Sequence, residues 1–262
     1  MDIFTGIILG ILQGLTEFLP ISSSGHLVMA ENILGVKASS SLIFEVLVHF
    51  ATMLSVLIYF REKIWKMIIS LIPPYTPEKL PALKLIGIIV VSTIPAAAIG
   101  LAFEDFVESA FSSVRIVSIM LLITGMILLS TKLIKFGGNK PGYKTGFLIG
   151  MAQAAALMPG ISRSGTTMAA GMHLKLAPAE AAEFSFLLSL PAVFGAGVLK
   201  SFDLAASPIA DGAIGPFIAG AIAAFIIGYL SIAWLMRIIK QGKFFFFGIY
   251  CLIIGFLGLV IL

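Results

Sequence analysis

The chain has 262 residues, of which 59% are hydrophobic and only 11% are charged, and its formal net charge is +4. Soluble domains contain about 45–50% apolar and about 25% charged residues, so this composition excludes a soluble domain and predicts an integral membrane protein. The small basic excess is typical of loops at a membrane surface, and the single cysteine excludes a disulfide framework and a thiolate metal site.

The predicted elements are two interrupted apolar segments, each followed by three continuous ones. The first, residues 3–35, is broken by LPISSSGH, and the second, residues 145–176, is broken by MPGISRSGT. The continuous stretches have the roughly 20 residues that a transmembrane helix needs; in chain order they are 42–60, 83–103, 112–131, 178–199, 213–236 and 244–262. The halves of the interrupted segments, at about 12–16 residues, are too short to cross a bilayer, so we predict two re-entrant helical hairpins with buried polar tips.

The two interrupted segments are related in sequence. When the chain is aligned with itself at an offset of 140, six residues in a 16-residue window are identical. The identical pairs are Gly10/Gly150, Gln13/Gln153, Ile21/Ile161, Ser22/Ser162, Ser24/Ser164 and Gly25/Gly165. We therefore predict a duplication, with residues 1–135 and 136–262 as the two repeats of one structural unit.

Basic residues predict the orientation of these elements. They cluster at 61–84, 132–144 and 237–243, and positively charged loops stay in the cytoplasm. All three clusters lie on one side only if both interrupted segments are re-entrant, which leaves the N-terminus and the C-terminus outside. The predicted fold is an all-α polytopic protein of the plasma membrane with two inverted-topology repeats, each having one re-entrant hairpin and three transmembrane helices.

In such inverted repeats, broken helices usually meet near the membrane midplane and form the site there. The polar and glycine residues that the two tips would bring together are Gln13, Glu17, Ser22, Ser23, Ser24, Gly25 and His26 from the first, and Gln153, Ser162, Arg163, Ser164, Gly165 and Thr166 from the second. Ionisable groups at this depth are costly, so they are candidates for function.

Arg163 gives the sharpest chemical signal, because a guanidinium near the membrane centre needs an anionic partner and suits bidentate binding of phosphate or carboxylate. Each tip also starts a new helix, whose free N–H groups and dipole attract anions. Together these features favour a ligand with several negative charges, such as a diphosphate. Hydroxyl groups beside His26 and Glu17 indicate cleavage as well as binding.

Plainer interpretations of the same residues remain open. Glu17, which shares a helix face with Gln13, is a metal ligand, a general base or simply the structural ion-pair partner of Arg163. We expect Ser22 or Ser24 to be an ordinary helix N-cap. Glu45 and His49, at spacing i, i+4, either bind a metal or hydrogen bond to each other.

At these residues the chain resembles the undecaprenyl-diphosphate phosphatase (bacitracin-resistance) family of membrane enzymes. The matching text is QGLTEFLPISSSGH at 13–26 and PGISRSGTT at 159–167, with support from FEVLVHFAT at 44–52 and AAEFSFLLSLP at 181–191. The resemblance implies hydrolysis of undecaprenyl diphosphate to the monophosphate and phosphate, which recycles the lipid carrier of cell-wall glycan synthesis. It also implies a divalent cation, Mg²⁺ or Ca²⁺, a site facing the outer side, and resistance to bacitracin, which sequesters the substrate.

The resemblance assigns roles to individual residues. The family's paired-acid motif falls on Gln13 and Glu17, its catalytic serine and histidine on Ser23 and His26, and its phosphate-binding arginine on Arg163. Many members have Glu where this chain has Gln13, a departure that weakens the case for a metal held by two carboxylates. The family tip often has Thr where Ser24 stands.

Our mechanistic hypothesis is that Ser23 attacks the terminal phosphorus with His26 as base, while Glu17 orients His26 or binds the metal. An alternative makes His26 the nucleophile. The rival function is a transporter or flippase of polyprenyl phosphates or other organic anions, since inverted repeats are common in transporters. Such a transporter needs Arg163 but has no need of the Ser23–His26 pair.

Overall fold

The computed structural model describes residues 1–35, 38–135, 137–204 and 212–262, and within these ranges every regular element is a helix. Phe136, the first residue of the second predicted repeat, lies outside the described residues. The α-helices in chain order are α1 Ile3–Phe18, α2 Ser23–Leu34, α3 Ala38–Tyr59, α4 Arg61–Ser70, α5 Leu80–Ala102, α6 Glu104–Phe111, α7 Val114–Ser130, α8 Tyr143–Ala155, α9 Arg163–His173, α10 Pro178–Leu204, α11 Ile214–Lys240 and α12 Phe246–Ile261.

Five segments of the described chain are long and apolar enough to cross a membrane: Leu42–Tyr59, Leu80–Ala102, Val114–Leu133, Pro178–Ser201 and Ile214–Lys240. They match five of the six predicted spans in position, length and composition, and the all-helical class is confirmed for the described residues, as a polytopic membrane protein requires. The sixth predicted span, 244–262, forms α12, an apolar helix of 16 residues. At about 1.5 Å per residue α12 is about 24 Å long, so its crossing of the membrane stays a prediction.

Two short helices that the sequence analysis did not predict connect the ends of spans. Helix α4 directly follows α3, and α6 directly follows α5. Helix α6 has Glu104 and Asp105 in its first turn, where carboxylates interact favourably with the helix dipole. Hydropathy alone overlooks such helices because they are short and carry charged residues.

Each interrupted segment forms the pair of helices that the sequence predicts. Residues 3–35 contain α1 and α2, and residues 145–176 contain α9 and all of α8 except its first two residues, since α8 begins at Tyr143. Ser22 caps α2 by accepting a hydrogen bond from the Gly25 N–H (3.3 Å), and Ser162 caps α9 by accepting one from the Gly165 N–H (3.1 Å). The expectation that Ser22 is an N-cap is confirmed, and the same capping hydrogen bond occurs in both tips, although Ser22 has a positive φ of 69° and Ser162 has an extended backbone with φ of -69°.

Glycines allow the first helix of each pair to approach a span closely. Helix α1 packs along α11, where a Cβ added to Gly10 would lie 2.2 Å from the Gly220 carbonyl oxygen. Helix α8 packs along α5, where a Cβ added to Gly150 would lie 2.2 Å from the Ser92 carbonyl oxygen. Gly10 and Gly150 are one of the pairs matched by the offset of 140. Small residues of this kind are what close helix packing in membranes requires.

Replacing Gly10 by alanine should lower the thermal unfolding midpoint of the detergent-solubilised protein by roughly 3–10 °C, the effect of about 1–3 kcal/mol of overpacking. The methyl group would meet backbone, which cannot move aside as a side chain could. The matched control is Gly195→Ala, because Gly195 is also helical and a Cβ there meets no atom within 4 Å. That control should leave the midpoint unchanged or slightly raised. Equal midpoints for the two variants would contradict the packing argument.

Candidate active site

The two tips lie in direct contact. The Ser164 hydroxyl donates a hydrogen bond to the Leu19 carbonyl oxygen at 3.2 Å. A Cβ added to Gly25 would lie 3.2 Å from Cα of Gly160, so the backbones of the two turns nearly touch. Residues that are about 140 positions apart in the chain therefore line one site.

Glu17 is the centre of this site. It is only 6% exposed, and its Oε1 accepts a hydrogen bond from the Arg163 guanidinium. Its Oε2 accepts hydrogen bonds from Gln13 Nε2 (3.0 Å) and from the Ser23 hydroxyl (2.6 Å). Removing a carboxylate from water is costly unless a counter-charge and hydrogen bonds compensate, and here both tips supply them.

His49 on α3 also faces this carboxylate. Its Nε2 lies 3.7 Å from Glu17 Oε2, and its Nδ1 lies 2.7 Å from the Glu45 main-chain oxygen. A carbonyl oxygen only accepts, so Nδ1 carries a proton and Nε2 is directed towards Glu17. The i, i+4 spacing pairs His49 with Glu45, but no local pattern links His49 to Glu17, which is its partner in the site.

His26 has partners other than those that the mechanistic hypothesis gave it. Its Nδ1 lies 2.8 Å from the Ser22 carbonyl oxygen, and its Nε2 lies 2.9 Å from the Tyr250 hydroxyl. The two rings are also nearly parallel, with centroids 5.6 Å apart. The ring of His26 folds back onto the cap of its own helix, whereas Ser23 points across to Glu17 on α1. The Ser23 proton therefore has Glu17, and not His26, as its acceptor in this structure, and Glu17 contacts His49 instead of orienting His26.

The second tip repeats features of the first and has an additional support. The hydroxyls of Ser162 and Ser164 are 3.3 Å apart, as are those of Ser22 and Ser24. Thr124 on α7 accepts a hydrogen bond from the Ser162 N–H (3.0 Å) and donates one to the Gly160 carbonyl (2.9 Å). Sequence analysis missed Thr124 and Tyr250 because each reaches the site from a distant helix without a local motif.

Several buried polar atoms of the predicted binding set have no hydrogen-bond partner within the described ranges: Gln13 Oε1, both amide atoms of Gln153, and Thr166 Oγ1. Unpartnered buried groups are uncommon because each loses its hydration without compensation. A ligand with many oxygen atoms could provide partners for these donors and acceptors. These side chains are therefore consistent with a binding role at the tips.

The site offers few ligands for a metal ion. No group of three or more histidine, cysteine or acidic side chains that could hold one occurs in the described part of the chain. Glu17 and the unpartnered Gln13 Oε1 supply one carboxylate and one amide oxygen. This donor set fits Mg²⁺ bound mostly through substrate phosphates, which commonly uses one or two protein carboxylates, and does not fit a cage made by the protein alone.

Comparison with known proteins identifies relatives over nearly the whole chain. Residues 6–257 match the model of the family described as bacitracin resistance protein BacA. The undecaprenyl-diphosphatase of Desulfosudis oleivorans is 42% identical, with 97% of each chain covered. The undecaprenyl-diphosphatase of Christiangramia forsetii is 41% identical, with 99% of this chain and 98% of the relative covered. The undecaprenyl-diphosphatase of Halothermothrix orenii is 40% identical, with 100% of this chain and 98% of the relative covered.

The matched region contains both tips and every residue that contributes a side chain to the site. The resemblance noted from the tip motifs is thereby confirmed at the level of the family. The chain belongs to the bacitracin resistance protein BacA family.

Proposed function

We propose that this protein hydrolyses undecaprenyl diphosphate to undecaprenyl phosphate and inorganic phosphate, and so recycles the lipid carrier of cell-wall glycan synthesis. The relatives named undecaprenyl-diphosphatase over full length support this activity. The observation that carries it within the structure is the Ser23 hydroxyl, which donates to Glu17 at 2.6 Å while Arg163 pairs with the other oxygen of the same carboxylate. Nucleophile, base and anion-binding group are thus adjacent.

In the proposed first step, Ser23 Oγ attacks the terminal phosphorus and its proton passes to Glu17. The bond from that phosphorus to the bridging oxygen breaks, and undecaprenyl phosphate leaves. Glu17 gives this first proton to the departing undecaprenyl phosphate and is a carboxylate again. Water then attacks the phosphoserine, Glu17 takes a proton from this water and returns it to Ser23 Oγ, and inorganic phosphate leaves as the Ser23 hydroxyl forms again. Phosphoryl transfer depends mostly on positioning and charge stabilisation, which this cluster supplies.

Two features stabilise the negative charge of the diphosphate. The Arg163 guanidinium can form paired hydrogen bonds with phosphate oxygens, and its side chain remains 20% exposed. The opposed helices α2 and α9 begin at Ser23 and Arg163, so their first turns direct free N–H groups towards the same region. The unpartnered amide of Gln153 and hydroxyl of Thr166 complete the proposed binding set.

The geometry favours serine over histidine as the nucleophile. His26 Nδ1 donates to a carbonyl, so its Nε2 lone pair accepts the Tyr250 hydroxyl hydrogen. A lone pair engaged in this way is not directed at a phosphorus atom. We assign His26 the role of fixing the first tip, through contacts with the cap of α2 and with α12.

We also propose a divalent cation, Mg²⁺ or Ca²⁺, held by Glu17 and Gln13 Oε1 together with oxygens of the diphosphate. Such an ion would neutralise charge on the substrate and on the leaving phosphate. The side chain of Gln13 would contribute a neutral amide oxygen and no negative charge. The proposed binding is therefore weak and depends on substrate.

Replacing Gln13 by glutamate should lower the Mg²⁺ concentration for half-maximal phosphate release by roughly tenfold, because ligand charge sets affinity for hard cations. The new carboxylate would lie beside Glu17, where Gln13 now donates a hydrogen bond. Gln13→Leu, which removes the amide oxygen, should raise the required concentration, and EDTA should abolish release by all three proteins. An unchanged metal requirement in both variants would contradict the assignment of Gln13.

For the architecture, we propose that α1–α2 and α8–α9 are re-entrant hairpins and that 1–135 and 136–262 are inverted repeats. The lengths of α1 and α8, 16 and 13 residues, correspond to about 24 Å and about 20 Å, less than the roughly 30 Å of hydrocarbon. Helix α12 is as long as α1, but α1 and α8 are each joined by a short turn to a second short helix, α2 of 12 residues or α9 of 11 residues. The equivalent packing of α1 on α11 and of α8 on α5 also supports the duplication. The site then opens to the outer side, with both termini outside.

Cysteine labelling tests this topology. A membrane-impermeant maleimide added to intact cells should label Ser112→Cys, which lies at the predicted outer end of the span 112–131, and should leave Lys140→Cys unlabelled until the cells are opened. Both positions are exposed, and the native Cys251 is buried and should give little background. Labelling of Lys140→Cys in intact cells would contradict the predicted orientation.

The activity itself is tested by phosphate release from undecaprenyl diphosphate by the purified protein. Metal-dependent release is the expected result. A folded, monodisperse protein that releases no phosphate but moves polyprenyl phosphates across liposomes would overturn the hydrolase and favour the transporter.

A further inference from the structure

A cleft of about 630 Å³ lies between α4 and the beginning of α5, away from the tips. Its apolar lining comes from both helices: Trp65, Met67, Ile69, Pro81, Ala82 and Leu85. Because α5 begins to span at Leu80, the cleft is at the boundary between the hydrocarbon and the aqueous side that bears the basic clusters. It is therefore accessible to lipid headgroups of that leaflet.

The polar lining of the cleft has an excess of positive charge, with the three lysines Lys63, Lys66 and Lys79 and the single carboxylate Glu78. Lys63 pairs with Glu183 of α10, so its charge is largely offset. Lys66 forms no salt bridge with any residue that the structure describes. The positive charges of Lys66 and Lys79 therefore outnumber the single negative charge of Glu78, and the cleft attracts anions.

One of these lysines is held in position by the segment that joins α4 to α5. Lys79 Nζ donates a hydrogen bond to the Ile72 carbonyl oxygen at 2.7 Å. An ammonium group has three donors, so two stay available for a ligand. This contact fixes the ammonium group beside the cleft. The Lys79 side chain therefore loses less conformational entropy when a ligand binds.

The surface of α4 next to the cleft has the character of a helix that lies in a membrane interface. Trp65 is 63% exposed and Ile68 is 47% exposed, while Arg61, Lys63 and Lys66 lie on the same short helix. Aromatic and apolar side chains combined with basic ones are typical of helices at the headgroup level. Contact with lipid therefore explains why the apolar side chains of Trp65 and Ile68 are exposed, since their exposure to water would be unfavourable.

We propose that this cleft binds an anionic phospholipid, with the phosphate group at Lys66 and Lys79 and an acyl chain along Trp65 and Leu85. Charge complementarity selects the anionic headgroup, and the apolar wall selects a lipid over a soluble ion. Inorganic phosphate would contact only the lysines, and a neutral lipid would gain only the apolar wall. The proposal is independent of the reaction at the tips.

The test is native mass spectrometry of the full chain in neutral detergent, titrated with phosphatidylglycerol, with phosphatidylcholine or with inorganic phosphate. The native protein should retain phosphatidylglycerol with at least tenfold higher affinity than phosphatidylcholine. Lys66→Gln/Lys79→Gln should weaken phosphatidylglycerol binding by about 25-fold, the product of a roughly fivefold effect of each lysine. Lys240→Gln/Lys243→Gln, which removes the same charge from another exposed basic cluster, should have less than a twofold effect.

Glu78→Gln provides a variant with the opposite sign. Removing the only carboxylate in the lining should tighten phosphatidylglycerol binding by about fivefold, a gain that a misfolded protein would not give. Equal affinity for the two lipids, equal losses in the two double-lysine variants, or saturable binding of inorganic phosphate alone would each overturn the proposal. The phosphatidylglycerol preference combined with the Glu78→Gln gain would support it.

Discussion

Replacing Arg163 by alanine should lower phosphate release from undecaprenyl diphosphate by about 10²- to 10³-fold, as does the loss of other preorganised groups that stabilise transition-state charge. The guanidinium is the cationic group paired with Glu17 at the meeting point of the tips. Arg163→Lys should recover only part of the rate, because an ammonium keeps the charge but lacks the planar pair of donors. The measurement is the steady-state rate with the purified proteins.

The alanine variant could lose activity through misfolding, since it leaves the buried Glu17 carboxylate without its guanidinium partner. Two measurements separate this from a catalytic loss. Arg115→Ala, at an exposed arginine at the start of α7, should keep full activity. Millimolar guanidinium ion should partly restore the rate of Arg163→Ala if the protein is folded. A monodisperse Arg163→Ala protein with nearly native turnover would contradict the proposed role.

The helices and the residues at the tips could be predicted because their signals are local. Proline at position 20 follows the end of α1, and Ser22 and Ser162 have the side chains that cap helices. The end of an apolar stretch is less certain. The stretch 244–262 is apolar from its start, but the N–H groups of Phe246 and Phe247 bond to carbonyl groups three residues back and α12 begins only at Phe246. Hydropathy does not detect where the helical hydrogen bonds begin.

The partners of the site residues could not be predicted in the same way. Tyr250 lies 224 positions from His26, and no spacing rule links α12 to the first tip. The direction of a side chain is a second limit. Ser23 and His26 are neighbours in the sequence, yet one faces Glu17 and the other faces Ser22 and Tyr250. A motif brings residue types together, but the packing of distant helices selects their rotamers and therefore their partners.

Replacing Ser23 by alanine should lower turnover by about 10³-fold or more, as expected when a nucleophile is lost. The hydroxyl is partly exposed, so substrate can reach it, and its hydrogen bond of 2.6 Å to Glu17 gives its proton an acceptor. Ser24→Ala is the matched control. Its hydroxyl lies 3.3 Å from that of Ser22 and contacts no carboxylate among the described residues, so its removal should cost less than about tenfold.

The same variants distinguish serine from histidine as the nucleophile. Substrate labelled in the terminal phosphate, quenched during turnover, should leave an acid-stable phosphoserine on the native protein and no label on Ser23→Ala. His26→Ala should still form the phosphoserine, although more slowly, because His26 fixes the tip through Ser22 and Tyr250. Nearly full turnover by Ser23→Ala, together with an acid-labile label that disappears in His26→Ala, would transfer the nucleophilic role to the histidine. In that case the tip would have to rearrange on binding substrate, since His26 Nε2 must leave the Tyr250 hydroxyl before it can reach phosphorus.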